Sequence, residues 1–86
     1  MLTMTERDTI RYELRDGNEV VYVGITNNPE RRAQEHKTNK EFRKMVPIGS
    51  EVSRATAEEW ETERIQTYKQ NHNGNRPKYN QNDSGK

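Results

Sequence analysis

Apolar and polar residues alternate strictly over Thr9-Ile10-Arg11-Tyr12-Glu13-Leu14-Arg15, which places Ile10, Tyr12 and Leu14 on one face of a strand. Asp16-Gly17-Asn18 carries turn chemistry, and Glu19-Val20-Val21-Tyr22-Val23-Gly24 follows as a second strand. The pair predicts a β-hairpin. The two-residue period puts Val20, Tyr22 and Gly24 on one face of the second strand, so two tyrosines project from neighbouring strands. Asn28-Pro29-Glu30 reads as a helix start: an amide N-cap, a proline at the first helical position and an acid at the positive dipole end. This helix is expected to run to about residue 36, with Arg32 and His36 one turn apart on a shared face. Residues 39–44, which hold the single Phe, Phe42, are expected to add a short helical turn. Val46, Ile48, Ser50 and Val52 alternate as a third strand, which Pro47 limits to an edge or a late start.

Thr56-x-x-Glu59 has the form of a capping box, predicting a helix over about residues 57–69. At about 100° per residue, Ala57, Ile65 and Tyr68 share one stripe of that helix. Glu61 falls in its middle, whereas Glu59 and Glu63 face the other way. A carboxylate on an apolar stripe is costly unless compensated, by a salt bridge, by the shoulder of a small core or by a cation. Residues 71–77 are rich in turn formers, and Lys78-Tyr79-Asn80 is positioned to return to the domain.

The composition changes the picture in two ways. Charged residues make up 34% and hydrophobic ones 27%, with a mean hydropathy of −1.46, so a core must be built from few, well-placed side chains. There is no cysteine, which removes disulfides and thiolate chemistry. The longest apolar run, Val20-Val21-Tyr22-Val23, is too short for a transmembrane helix or a secretory signal, so the expectation is an intracellular, cytoplasmic protein with no membrane partner. The net charge of +1 is unevenly spread. Residues 25–44 hold six basic and three acidic side chains, residues 45–63 one and five, and residues 64–86 five and one. Two basic segments flanking an acidic one are compatible with phosphate binding around a carboxylate, and equally with ordinary surface charge.

Tyr22-Val23-Gly24, then Arg32 eight residues after the glycine, then His36 four residues later, resembles the GIY-YIG nuclease family. That family includes phage intron homing endonucleases, several restriction enzymes and the incision domain of bacterial excision repair. Tyr12, ten residues before Tyr22, matches the tyrosine of the first half-motif; Glu61 matches the helix glutamate and Asn80 the terminal asparagine. Ile10-Arg11-Tyr12 stands where the family has Gly-Ile-Tyr, so only the tyrosine of that half is kept. The resemblance covers residues 9–80, with residues 1–8 as an N-terminal extension and 81–86 as a tail without apolar residues. It implies an α/β domain of the α+β type, a three-stranded antiparallel sheet flanked by helices.

Phosphodiester hydrolysis needs an activated water, neutralisation of charge on the phosphate oxygens and help for the leaving oxygen. Mg²⁺ or Mn²⁺ suits a sparse site, because such an ion keeps most of its waters and accepts one or two carboxylates plus phosphate. Glu61 is the candidate ligand, a role the resemblance also implies. Arg32 offers a bidentate, permanently charged fork to the scissile phosphate. Tyr12 and Tyr22 are both candidates for activating water, Tyr12 being favoured as base and Tyr22 as positioner; a phenolate would require nearby positive charge. His36, expected to titrate near neutrality, is a candidate proton relay or phosphate contact. Asn80 is expected to bind phosphate or hold the site together. Arg31, Lys37, Lys40, Arg76 and Lys78 are candidate nucleic-acid contacts.

The reading is therefore a small metal-dependent DNA endonuclease with low intrinsic sequence selectivity. It would be a monomer or homodimer, with a targeting partner protein as one further expectation and single-stranded, duplex or branched DNA as the substrate. Two alternatives remain: a nucleic-acid-binding or partner-binding module that kept the scaffold and lost turnover, and an RNA-directed nuclease, since the chemistry would be alike.

Overall fold

A computed structural model describes residues 7–80. The N-terminal extension and the tail read from the sequence lie largely or wholly outside the described residues. The chain runs β1 (Ile10–Asp16), β2 (Glu19–Thr26), α1 (Pro29–Asn39), β3 (Lys44–Pro47) and α2 (Arg54–Asn71). The three strands form one antiparallel sheet in the order β2-β1-β3.

The hairpin forms as the sequence reads. Gly17 takes a φ of +67° in the turn, a conformation that costs other residues but not glycine. Its register carries one irregularity with consequences. Leu14 pairs with Tyr22 but Arg15 pairs with Val20, so Val21 is an extra residue on β2. Cross-strand partners share a face, so this bulge separates Val20 from Tyr22 and Gly24. The expected common face of the three is corrected accordingly: Val20 turns to the side of Arg64 and Tyr68 on α2, while Tyr12, Leu14 and Tyr22 stay together in the core.

At α1 the Asn28 side chain accepts from the Arg31 backbone N–H at 3.2 Å, and Pro29 opens the helix, as expected. The helix continues to Asn39, beyond the expected end near residue 36, and there is no separate helical turn over 39–44. Phe42 instead lies in the connection and packs against the core cluster. The third strand is also displaced. It ends at Pro47, which has no N–H to extend a ladder, and Gly49 at φ +69° turns the chain away. Val52 makes only an isolated bridge to Thr9.

α2 begins two or three residues earlier than the capping box suggested. Ser53 is the N-cap, accepting from the Thr56 N–H at 3.2 Å, so Thr56 is inside the helix. Its buried residues are Ala57, Glu61, Ile65 and Tyr68, the stripe read from the helical period, with Glu59 and Glu63 exposed. α2 packs across β2 and β1 and is tied to them by a buried ionic triad. Glu13, 2% exposed, accepts from Arg15 Nη2 at 2.8 Å on one oxygen and from Arg64 Nε at 2.6 Å on the other.

The segment after α2 returns along the outer edge of β2. Tyr79 N–H donates to the Val21 carbonyl at 2.8 Å. The Asn80 carboxamide takes both backbone groups of Val23, accepting from its N–H at 2.9 Å and donating to its carbonyl at 3.0 Å. An open sheet edge is thereby closed without a fourth strand. Among the described residues no helix is long and apolar enough to cross a membrane.

Candidate active site

The candidate site lies where the hairpin meets α1. Tyr12 comes from β1, Tyr22 from β2, and Arg32 and His36 from the inward face of α1. Tyr12 and His36 are essentially inaccessible, at 0% and 1%, and Tyr22 is nearly so. The Tyr12 hydroxyl and His36 Nε2 are 2.7 Å apart. The His36 ring sits 4.8 Å from the Tyr22 ring, centroid to centroid, and Phe42 meets it edge-on at 6.4 Å. Arg32 donates to the Glu35 carboxylate at 3.0 Å, and its charge bears on both phenols.

Gly24 makes this packing possible. A Cβ there would come within 2.6 Å of the Tyr12 hydroxyl and 2.7 Å of the Tyr22 ring. The glycine is required by the close approach of two side chains to the strand, so the Tyr-Val-Gly strand end is a steric device.

The electrostatics differ from the sequence expectation in two respects. Burial, then the neighbouring Tyr22, pushes the Tyr12 phenol well above its ordinary range; Arg32 opposes the shift by hydrogen bond and charge, and Glu61 adds to it. Burial raises Tyr22 likewise, with Arg32 opposing and Glu61 reinforcing. Arg32 therefore does supply the expected positive charge, but desolvation outweighs it and both phenols are protonated in the free protein. His36 does not titrate near neutrality: burial, followed by the charges of Lys40 and Arg32, pushes it down to about 4. Its imidazole is neutral at pH 7. For Arg32 itself, burial works against the charge, but the Glu35 carboxylate and the neighbouring phenols more than compensate and hold it cationic.

Glu61, 1% exposed, brings an acidic charge of α2 to bear on both phenols. No group of three or more His, Asp or Glu side chains is placed to hold a metal ion among the described residues. His36 Nε2 is already engaged by Tyr12. A single carboxylate of this kind matches a hard cation that keeps its waters and takes further oxygen ligands from a phosphate, and does not match a tetrahedral zinc site.

Asn80 belongs to the same side of the molecule but spends its carboxamide on Val23. Of the candidate nucleic-acid contacts, Lys40 approaches closest, its Nζ 5.1 Å from the Tyr22 ring centre. Lys78 lies over the Tyr79 ring at 5.2 Å, and Tyr79 packs against the cluster and accepts from the Glu41 N–H at 3.0 Å. Arg31 and Lys37 are exposed on α1, and Arg76 is exposed after α2. Sequence reasoning missed Glu35, which bridges Arg31 and Arg32 at 3.3 and 3.0 Å. Its spacing of three and four residues from the two arginines was the available signal. A groove of about 640 Å³ between the hairpin turn and the end of α2 holds none of the clustered residues.

Comparison with family models finds the GIY-YIG catalytic domain over residues 10–80. Comparisons with curated proteins and with solved structures find no significant match. Domains of this family are endonucleases that act on nucleic acid and generally use a divalent metal. The matched span includes every clustered residue from Tyr12 to Asn80, and the three-stranded antiparallel sheet with its two helices agrees with the family fold. On the strength of a match that covers most of its length, the chain belongs to the GIY-YIG family.

Proposed function

We infer that this protein is a metal-dependent endonuclease hydrolysing DNA phosphodiester bonds with little sequence selectivity of its own. The observation that carries the reading is the contact between Tyr12 and His36 at 2.7 Å, with the Tyr22 ring 4.8 Å from His36 and the charge of Arg32 bearing on both phenols. Three polar side chains from three elements, Tyr12, Tyr22 and His36, are driven into a nearly water-free cluster beside Arg32, an arrangement that is unfavourable for folding alone.

In the proposed mechanism Arg32 takes the scissile phosphate on its guanidinium and offsets the charge that grows on its oxygens. The raised pKa of Tyr12 argues against a standing phenolate. Instead the Tyr12 oxygen accepts a proton from the attacking water as its own proton passes to His36 Nε2, with His36 in the Nδ1–H tautomer. A neutral His36 is what such a relay requires. Tyr22 orients the water or phosphate from the adjacent strand. Glu61 would hold a Mg²⁺ or Mn²⁺ ion, which when bound supplies charge stabilisation to the phosphate and leaving oxygen. Asn80 acts by fixing β2, and hence Tyr22 and Gly24, in register. Arg31, Lys37, Lys40, Arg76 and Lys78 attract the nucleic-acid backbone. Low selectivity, with a second copy or a targeting partner supplying any further recognition, completes the reading. An intracellular, cytoplasmic setting fits this substrate.

The test is cleavage of labelled single-stranded, duplex and branched DNA, and of matched RNA, with Mg²⁺, Mn²⁺ or EDTA, comparing the protein with a folded Glu61→Gln variant. Metal-dependent DNA cutting lost in the variant is expected. Equal binding without cutting in both proteins would replace this reading with a binding module, and a preference for RNA would reassign the substrate.

A further inference from the structure

Glu35 accepts from Arg32 Nη1 at 3.0 Å with one oxygen and from Arg31 Nε at 3.3 Å with the other. The charge of Arg32 also bears on Tyr12 and Tyr22. Its Nη1 already carries an anion. A groove of about 550 Å³ along α1, lined by Arg31, Arg32, Gln34, Glu35, Thr38 and Asn39, gives solvent access to this carboxylate. The Arg32 side chain is 34% exposed and that of Glu35 43%. The hydrogen bond from Arg32, ahead of a small opposing desolvation and the charge of Arg31, keeps the Glu35 carboxyl below its usual range and so ionised.

We propose that Glu35 is an internal stand-in for substrate phosphate: it occupies Nη1 of Arg32 in the free protein and is displaced onto Arg31 when a phosphate group binds. The proposal rests on Arg32 being the phosphate-binding residue. A carboxylate and a phosphate group each present oxygen acceptors to the same guanidinium N–H groups, so the two compete for Arg32. The neighbour one residue back gives the displaced carboxylate a second cation, so opening the fork does not leave Glu35 uncompensated. The consequence is discrimination. An isolated anion must break an existing ion pair at Arg32, whereas a nucleic acid that also engages the surrounding cations offsets that cost through several contacts at once.

The experiment measures binding of a fluorescent DNA oligonucleotide in EDTA by anisotropy. It compares the wild type with Glu35→Gln, Glu30→Gln, Arg32→Ala and the double variant Arg32→Ala/Glu35→Gln. Glu30 is on the same helix and exposed, so its variant reports the effect of removing one acidic charge alone. Glu35→Gln is expected to bind about two- to fivefold tighter than Glu30→Gln, the range set by loss of an exposed ion pair. The gain is expected to vanish in the Arg32→Ala background. Where the oligonucleotide binds, a Glu35→Gln variant no tighter than Glu30→Gln, or a gain that persists without Arg32, overturns the proposal. A second measurement follows the arginine Nε resonances during titration with inorganic phosphate. Tighter phosphate binding at Arg32 in Glu35→Gln supports the stand-in even if no oligonucleotide binds, an outcome that would sink the nuclease reading alone. No difference between the proteins in that titration removes the stand-in whatever the oligonucleotide does.

Discussion

The Tyr12 hydroxyl and His36 Nε2, 24 residues apart along the chain, lie 2.7 Å apart in a region with almost no solvent access. β1 and α1 meet through this bond, so the contact that anchors the helix is also the one from which proton transfer is proposed. Fold and chemistry are coupled at His36, because the neutral imidazole that allows close packing is the form able to accept a proton.

That coupling gives the protein an acid sensitivity of defined sign. The unfolded chain protonates His36 below about pH 6.5, whereas the folded one resists until about 4. Between these values the unfolded state holds more protons, so stability rises with pH and is lost as pH falls through the window, by on the order of 3 kcal/mol for this group. Urea denaturation at pH values from about 4 to 7 is expected to show a steeper decline in the wild type than in His36→Gln. Parallel declines would mean that His36 is not held neutral by the fold.

Gly24→Ala is expected to separate steric from conformational roles of glycine. Its new methyl group would meet the Tyr12 hydroxyl and the Tyr22 ring at 2.6–2.7 Å, costing about 1–3 kcal/mol as overpacking and moving both phenols. Cleavage is expected to fall at least about tenfold even at temperatures where the variant is folded. Gly17→Ala, strained only by its φ of +67° with nothing within 4 Å, is expected to cost about 1–2 kcal/mol and leave cleavage intact. Melting curves and rates on the two variants check both statements.

Asn80→Ala removes two hydrogen bonds to Val23 and leaves the edge of β2 unsatisfied. A loss of about 2–4 kcal/mol is expected, with the remaining folded fraction binding nucleic acid normally. Reduced affinity at full folding would instead assign Asn80 a direct phosphate contact.

Glu13→Ala breaks the buried triad with Arg15 and Arg64. Because both arginines reach solvent, at 42% and 28% of their side chains, the expected loss is about 1–3 kcal/mol, less than for a fully buried pair. Denaturant titration should show it without a change in the Tyr12–His36 contact, which an imidazole resonance would report.

The hairpin, the Asn28-Pro29 helix start and the α2 stripe with Glu61 at its centre were legible from local sequence. Each depends on residues within one or two turns of one another: Gly17 tolerates a positive φ, Asn28 caps its own helix, and a 3.6-residue period places Glu61 beside Ala57 and Ile65 whatever lies opposite. The family resemblance likewise rests on spacing, and the match over residues 10–80 bears it out.

Only the tertiary structure decided the rest, because it depends on groups distant in sequence. Val21 becomes a bulge through pairing between β1 and β2, and this turns Val20 away from Tyr22. His36 becomes neutral chiefly because packing against the sheet buries it; the charges of Arg32 and Lys40, one turn to either side, only add to that. Asn80 is occupied by Val23, 57 residues earlier. Ser53, not Thr56, caps α2, since both residue types suit the position and packing of the helix sets its start. Periodicity reports which side chains turn inward; what they meet there is fixed by the packing of β1, β2, α1 and α2 together.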